Sequence, residues 1–309
     1  MAVYRYVTVD VFTGVRFGGN QLAVVLDARG LSDADMLAVT REFGYSETTF
    51  VLPPADADNT AQVRIFTVGG EVPFAGHPNV GTGWVLANEG ALFGRPVGDR
   101  LRFEELAGLV PVDILRDGGA LIGARLEAPQ RPTIGRAFDP ALVAPAAGLA
   151  AADIVVAAHP PVESSVGLGF ICVEVASLEA LGRAQGDRVA LGRLAAASGV
   201  ARDDLMMLYI YTRATGEAGL LRARMFALEL GLAEDAATGS AAGALGGLLA
   251  TLAARAGAAD GELAWRIDQG VEMGRPSRLD VGAQLAGGAV TRVTVAGSCV
   301  PVMRGEIEV

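Results

Sequence analysis

The strongest constraint on this chain is an internal repeat: three short blocks of its first half recur, in the same order, in its second. The first block is a strand leaving a glycine turn. One copy is Gly19-Asn20-Gln21-Leu22-Ala23-Val24-Val25-Leu26, followed by a turn to Ser32 and a capped helix through about Phe43. The other runs from Gly167 to Val175, and a helix then starts at Ala176-Ser177-Leu178-Glu179. The second block is Val63-Arg64-Ile65-Phe66, matched by Ala223-Arg224-Met225-Phe226: an outward arginine flanked by inward apolar residues at strand period. The third runs from Gly76-His77-Pro78 to Ala87 and is matched by Glu234-Asp235 to Leu245. Each copy presents a proton-carrying side chain, then Gly-Thr or Gly-Ser, then a long apolar helix.

Three short matches in an Ala/Gly/Val-rich chain are also what ordinary supersecondary units produce by chance. Taken as one unit used twice, they specify two pseudo-symmetric half-domains, each wrapping strands around one helix. A helix apolar on all sides belongs in such an interior. No strict βαβ alternation runs the length, so the class is α+β with mostly antiparallel sheet. The halves are expected at residues 1–118 with 292–309, and at 119–291. Residues 127–150, rich in Ala, Pro and Gly, read as connections. The last strands, Val293-Thr294-Val295 and Val300-Pro301-Val302-Met303, are expected beyond a Gly-rich break from Gly282 to Gly288.

Composition narrows the function classes. Of 309 residues, 51% are apolar and 19% charged, enough for a packed core and without a disorder signature. A net charge of −10 argues against a nucleic-acid partner, which needs clustered Lys and Arg. Ala236 to Ala254 is uncharged and contains Gly239-x-x-x-Gly243. Its bulk is small residues with only four Leu, so it reads as a buried helix rather than a membrane span. The N-terminus enters alternating Tyr4 to Val9 without a signal-peptide core, and Cys172 and Cys299 form no disulfide framework. Both fit a reducing cytoplasm.

Both copies of the third block put Gly and small hydroxyl residues at a helix start, where unpaired N–H groups favour a carboxylate or phosphate. If the halves pack about a pseudo-twofold axis, Gly76, Gly81, Gly239 and Ser240 would line a cleft for an anionic substrate, with His77 and Asp235. Alternatively, the glycines only let the helices pack. His77 lies in a Gly/Pro turn before a helix, a place where side chains point into clefts. His159, before Pro160-Pro161, reads as a surface residue. Glu47, beside Thr49-Phe50-Val51, is either a solvent-facing strand residue or a desolvated base. Spacing alone favours the first. No zinc constellation, P-loop or strand-linked GxGxxG is present. Ser240, His77 and Asp235 have the residue types of a nucleophilic triad, but no GxSxG elbow accompanies them.

Asp10-Val11-Phe12-Thr13, Gly19-Asn20, Ser46-Glu47-Thr48-Thr49-Phe50 and Pro73 to Pro78 resemble the PhzF family of phenazine-biosynthesis isomerases. So do Glu234-Asp235-x-Ala237-Thr238-Gly239-Ser240-Ala241-Ala242-Gly243 and Gln269 to Ser277, in family order over nearly the whole chain. The resemblance implies a diaminopimelate-epimerase-like fold: two halves, each a mostly antiparallel β barrel around a central helix, with the site between them. It implies a homodimer, no metal and no cofactor. It also implies a cofactor-independent isomerase that shifts a proton within a small carboxylate such as trans-2,3-dihydro-3-hydroxyanthranilate. The family's catalytic glutamate matches Glu47, which reverses the spacing-based reading, and its supporting histidine and aspartate match His77 and Asp235. Its substrate contacts match Ser46, Gly76, Gly239 and Ser240. Neither cysteine falls in a matching block, against a two-thiol racemase. Three positions depart from the family pattern: Gln21 and Ala236 replace prolines, and Asn79 stands where threonine is common. They bear on the substrate. The competing expectations are an epimerase or isomerase of another amino-acid-like or hydroxy-acid substrate, and a non-catalytic carboxylate-binding protein.

Overall fold

The computed structural model describes residues 1–199 and 206–309. The chain divides into two units, Met1–Glu127 with Ala296–Val309, and Ala128–Val295.

Unit 1 opens with β1 (Val3–Val11) and β2 (Asn20–Val25), then α1 (Asp33–Phe43), β3 (Glu47–Leu52), β4 (Ala61–Thr67) and the short β5 (Gly70–Val72). After α2 (Gly76–Glu89) come a small hairpin, β6 (Ala91–Leu92) with β7 (Arg95–Pro96), and then β8 (Arg100–Glu105), β9 (Gly108–Asp117) and β10 (Ala120–Glu127). The last strand of the chain, β19 (Ala289–Glu308), supplies the remaining edge. Pairing runs β1–β2, β2–β3, β3–β4, β4–β8, β8–β9, β9–β10, β10–β19 and back from β19 to β1. Eight strands therefore close into a barrel with no free edge. Two pairs, β2–β3 and β4–β8, are parallel, and the others with printed register are antiparallel.

The interior is taken by α2, buried on every side from Gly76 to Leu86. Its glycines serve close packing. A Cβ on Gly81 would sit 2.6 Å from Leu22 Cδ2, so strand and helix approach only because none is there. On the outside, α1 is fixed by a capping box, in which Ser32 Oγ accepts from Asp35 N and Asp35 Oδ2 from Ser32 N. Met36 and Val39 of α1 pack with Val25, Phe50 and Phe66.

Unit 2 repeats the plan. It contains β11 (Thr133–Ala137), α3 (Pro140–Ala146), β12 (Val162–Ser165), β13 (Gly169–Glu174), α4 (Leu178–Arg183) and α5 (Arg188–Ser198). There follow β14 (Leu208–Thr212), β15 (Leu220–Ala227), β16 (Leu232–Asp235), α6 (Gly239–Arg255), β17 (Gly261–Gln269) and β18 (Ser277–Ala286). The succession antiparallel β1–β2, parallel β2–β3, antiparallel β3–β4, parallel β4–β8, antiparallel β8–β9 reappears as β12–β13, β13–β14, β14–β15, β15–β17 and β17–β18. The interior helix α6 packs on β12, β13 and β18 through small residues, and a Cβ on Gly247 would lie 2.6 Å from Pro132 Cβ. No described helix is long and apolar enough to cross a membrane. The expected α+β class, a mostly antiparallel barrel around a central helix, is the architecture found.

Several local expectations need correction. Residues 127–150 are not merely connections, since they hold β11 and α3. Gly282 lies inside β18, and the break is only Gly287–Gly288, a turn with both φ positive (61° and 73°) whose N–H groups donate to Asp260. The two expected final strands are one, β19. Arg224 does not point to solvent. It ion-pairs with Glu234 at 2.7 Å and donates to the carbonyls of Leu181, Gly182 and Ala184, satisfying the C-terminus of α4. Its repeat partner Arg64 is half-buried and pairs with Glu71 at 2.5 Å.

Candidate active site

In unit 1 the parallel pairing of β2 and β3 sets Leu22 opposite Glu47, so the starts of both strands come to one end of the barrel. The turn before α2 brings His77 to the same place. Ser46 Oγ donates to Asn20 Oδ1 at 3.3 Å, Asn20 Nδ2 lies 3.3 Å from His77 Nδ1, and His77 Nε2 lies 3.5 Å from Glu47 Oε2. The Glu47 side chain is 19% exposed and that of His77 5%. Burial pushes the Glu47 carboxyl from its ordinary 4.5 up to about 7, although the Ser46 hydroxyl pulls the other way. Glu47 is therefore the desolvated carboxyl of the two readings, not a solvated strand residue. Gly76 opens α2 one residue before His77.

In unit 2, Asp235 ends β16 and is buried, and Gly239 and Ser240 form the first turn of α6. Thr238 Oγ1 donates to Asp235 Oδ2 at 2.6 Å. Gln269, wholly buried at the end of β17, ties the turn together. Its Nε2 donates to Asp235 O at 2.9 Å and Thr238 Oγ1 at 3.1 Å, and its Oε1 accepts from Tyr209 OH at 3.1 Å. Ala236 sits in this turn, which the Gln269 and Thr238 hydrogen bonds hold.

Ser46, Glu47, Gly76 and His77 are thus grouped in unit 1, and Asp235, Gly239 and Ser240 in unit 2. Sequence reasoning gave no role to Asn20, Thr238, Tyr209 or Gln269. Asn20 and Gln269 stood in the quoted blocks, but nothing in their spacing marked a buried amide. His159 was expected at the surface and is buried: its Nε2 lies 2.8 Å from Tyr211 OH, which donates to Glu174 at 2.9 Å. The His159 Nδ1 lies 2.7 Å from the neighbouring Pro160 O, but the Tyr211 hydroxyl that covers Nε2 comes from β14, which sequence spacing does not display. Both cysteines are free and buried; burial pushes the Cys172 thiol up to about 12 and raises Cys299 as well. Among the described residues no three His, Cys, Asp or Glu side chains gather as a metal would require.

A family model described as phenazine biosynthesis-like protein, PhzC-PhzF, matches residues 9–305. The chain belongs to the PhzC-PhzF family. An uncharacterized isomerase of Mesorhizobium japonicum is 36% identical over 308 residues, covering 99% of each chain. The trans-2,3-dihydro-3-hydroxyanthranilate isomerase of Pseudomonas fluorescens is 35% identical over 306 residues, again covering 99% of each. Among solved structures, a PhzF-family protein of Bacillus anthracis superposes with a TM-score of 0.86 at 24% identity, covering 100% of both chains. Within this PhzC-PhzF fold the two helix starts carry different chemistry. One has a carboxyl of raised pKa beside an imidazole, the other a carboxylate tied to its own turn.

Proposed function

We propose that this PhzC-PhzF isomerase shifts a proton within a small carboxylate substrate of the trans-2,3-dihydro-3-hydroxyanthranilate class, with Glu47 taking and returning it. The observation that carries this reading is the buried Glu47 carboxyl, raised to about 7 and 3.5 Å from the His77 ring. A carboxyl with that pKa is about half ionised at neutral pH, so the same group serves as base in one step and as acid in the next. Ionised Glu47 takes a proton from a ring carbon, and the C–H electron pair passes into the adjoining double bonds. Protonated Glu47 then delivers the proton to another ring carbon, and the carboxylate is regenerated. The sum is an isomer, with no electrons gained or lost. His77 and Asp235 bind the polar groups of the substrate and keep the reacting carbons near the carboxyl, and Ser46, Gly76, Gly239 and Ser240 contact the substrate's carboxylate.

The substrate class comes from the full-length relative named for that isomerisation. The raised thiols of Cys172 and Cys299 speak against the two-thiol racemase, which needs a thiolate. The test follows trans-2,3-dihydro-3-hydroxyanthranilate by NMR with the purified protein. Movement of a C–H signal from one ring carbon to another is expected. A substrate that binds and stays unchanged would make the protein a binder, and inversion at one carbon would make it an epimerase.

A further inference from the structure

We infer that Asn20 is a positioning residue that holds His77 as neutral imidazole with its proton on Nε2, facing Glu47. The inference rests on the reading of Glu47 as the proton-moving group. Nε2 faces the Glu47 carboxyl at 3.5 Å, an electrostatic contact rather than a hydrogen bond, and an ionised carboxylate, which only accepts, favours the ring proton on that nitrogen. A neutral imidazole has one N–H, which leaves Nδ1 bare and in need of a donor. Asn20 Nδ2, 3.3 Å away, is that donor. An asparagine amide can turn over and offer its oxygen instead. Here Ser46 Oγ lies 3.3 Å from Oδ1, and when its one hydrogen goes to the amide oxygen rather than to Glu47 the NH₂ is turned toward the ring. Hydroxyl, amide and imidazole form one chain that ends against the carboxyl.

The backbone supports this aim. Gly19, immediately before Asn20, has φ +64°, and a Cβ there would lie 2.6 Å from Thr13 Cγ2. Only glycine makes the turn that sets Asn20 at the start of β2. The consequence reaches Glu47. An imidazolium would drive its Nδ1–H against the Asn20 N–H, so Asn20 opposes a positive charge on the ring. A cationic His77 beside Glu47 would favour the ionised carboxyl and weaken it as a base. Asn20 thus preserves the basicity that burial creates.

The chain has only two histidines, so ¹⁵N-histidine labelling of the full-length protein resolves the question. The His77 signals are assigned by their loss in His77→Asn. In the wild-type protein at pH 8 the expected spectrum has an unprotonated Nδ1 and a protonated Nε2; a protonated Nδ1 overturns the inference. In Asn20→Asp, which offers only acceptors, the proton is expected to move to Nδ1, with kcat falling about tenfold or more and KM changing much less. A purely structural Asn20 would leave the nitrogen signals where they are, and that result would also overturn it. The wrong wild-type tautomer with an inactive Glu47→Gln defeats this inference alone. The right tautomer with a fully active Glu47→Gln defeats the acid/base reading alone.

Discussion

The beginnings of α2 and α6 occupy the same position in one repeated topology, yet their acidic groups are treated in opposite ways. In unit 1 the carboxyl stands on a neighbouring strand, Glu47 of β3, loses most of its water, and is met by the Ser46 hydroxyl and, at 3.5 Å, by the His77 ring. In unit 2 the carboxyl is on the approach to the helix itself, and Thr238 donates to Asp235 at 2.6 Å while Gln269 holds the backbone behind it. A carboxyl whose loss of water outweighs the donors it gains has its pKa raised and exchanges protons readily near neutrality. One engaged by a short hydroxyl bond is fixed in direction and suits recognition. The same succession of paired strands around a central helix thus carries two carboxyls whose settings are set apart by a few polar partners.

The largest expected effect breaks this contrast outright. Glu47→Gln keeps the shape but not the proton, and kcat should fall about 10²–10⁴-fold with substrate affinity little changed, as read by stopped-assay rates and calorimetry. The same variant should be more stable. Because burial raises the folded carboxyl from 4.5 to about 7, wild-type stability declines as pH rises through that window and is level above it. Glutamine has no such decline, so denaturant titrations should show the variant ahead by about 3 kcal/mol at pH 8, and the lead should vanish near pH 4.5.

A second comparison concerns the twin arginines. Arg224→Met strands Glu234 in a nearly buried pair and leaves helix carbonyls without a donor, for an expected loss of about 3 kcal/mol. Arg64→Met, in the more accessible pair, should cost about 1 kcal/mol in the same urea titration. The smallest effect sharpens the account of Asp235. Thr238→Val removes the short hydroxyl bond and should raise KM by about tenfold while leaving the pH dependence of kcat unchanged.

What the sequence disclosed follows the range of the interactions involved. The twin helices were legible because α2 and α6 are apolar all round, and β2 and β13 because each leaves a glycine turn as an apolar run. Ser32 and Asp35 announced the start of α1 through purely local hydrogen bonds. His159, Arg224 and Gln269 were opaque for the opposite reason. Each also depends on a distant partner, Tyr211 52 residues from His159, Leu181 43 from Arg224 and Asp235 34 from Gln269, so no period or spacing in the chain reports their burial. Arg64 and Arg224 look identical in their four-residue blocks, and only the end of α4 makes the second one a buried cap. Gly282 was misread as a break because a glycine within a strand carries the same letter as a glycine in a turn. For Glu47, alternation along β3 could not separate a wet face from a dry one, and family resemblance made the choice.

The account depends most on Glu47 having a raised pKa. Selective ¹³C labelling of glutamate side chains, with assignment by the Glu47→Gln variant, allows its carboxyl carbon to be titrated directly in the folded protein. A midpoint near 7 is predicted. A midpoint near 4.5 would show a solvated carboxylate and contradict the assignment of Glu47 as the group that carries the proton.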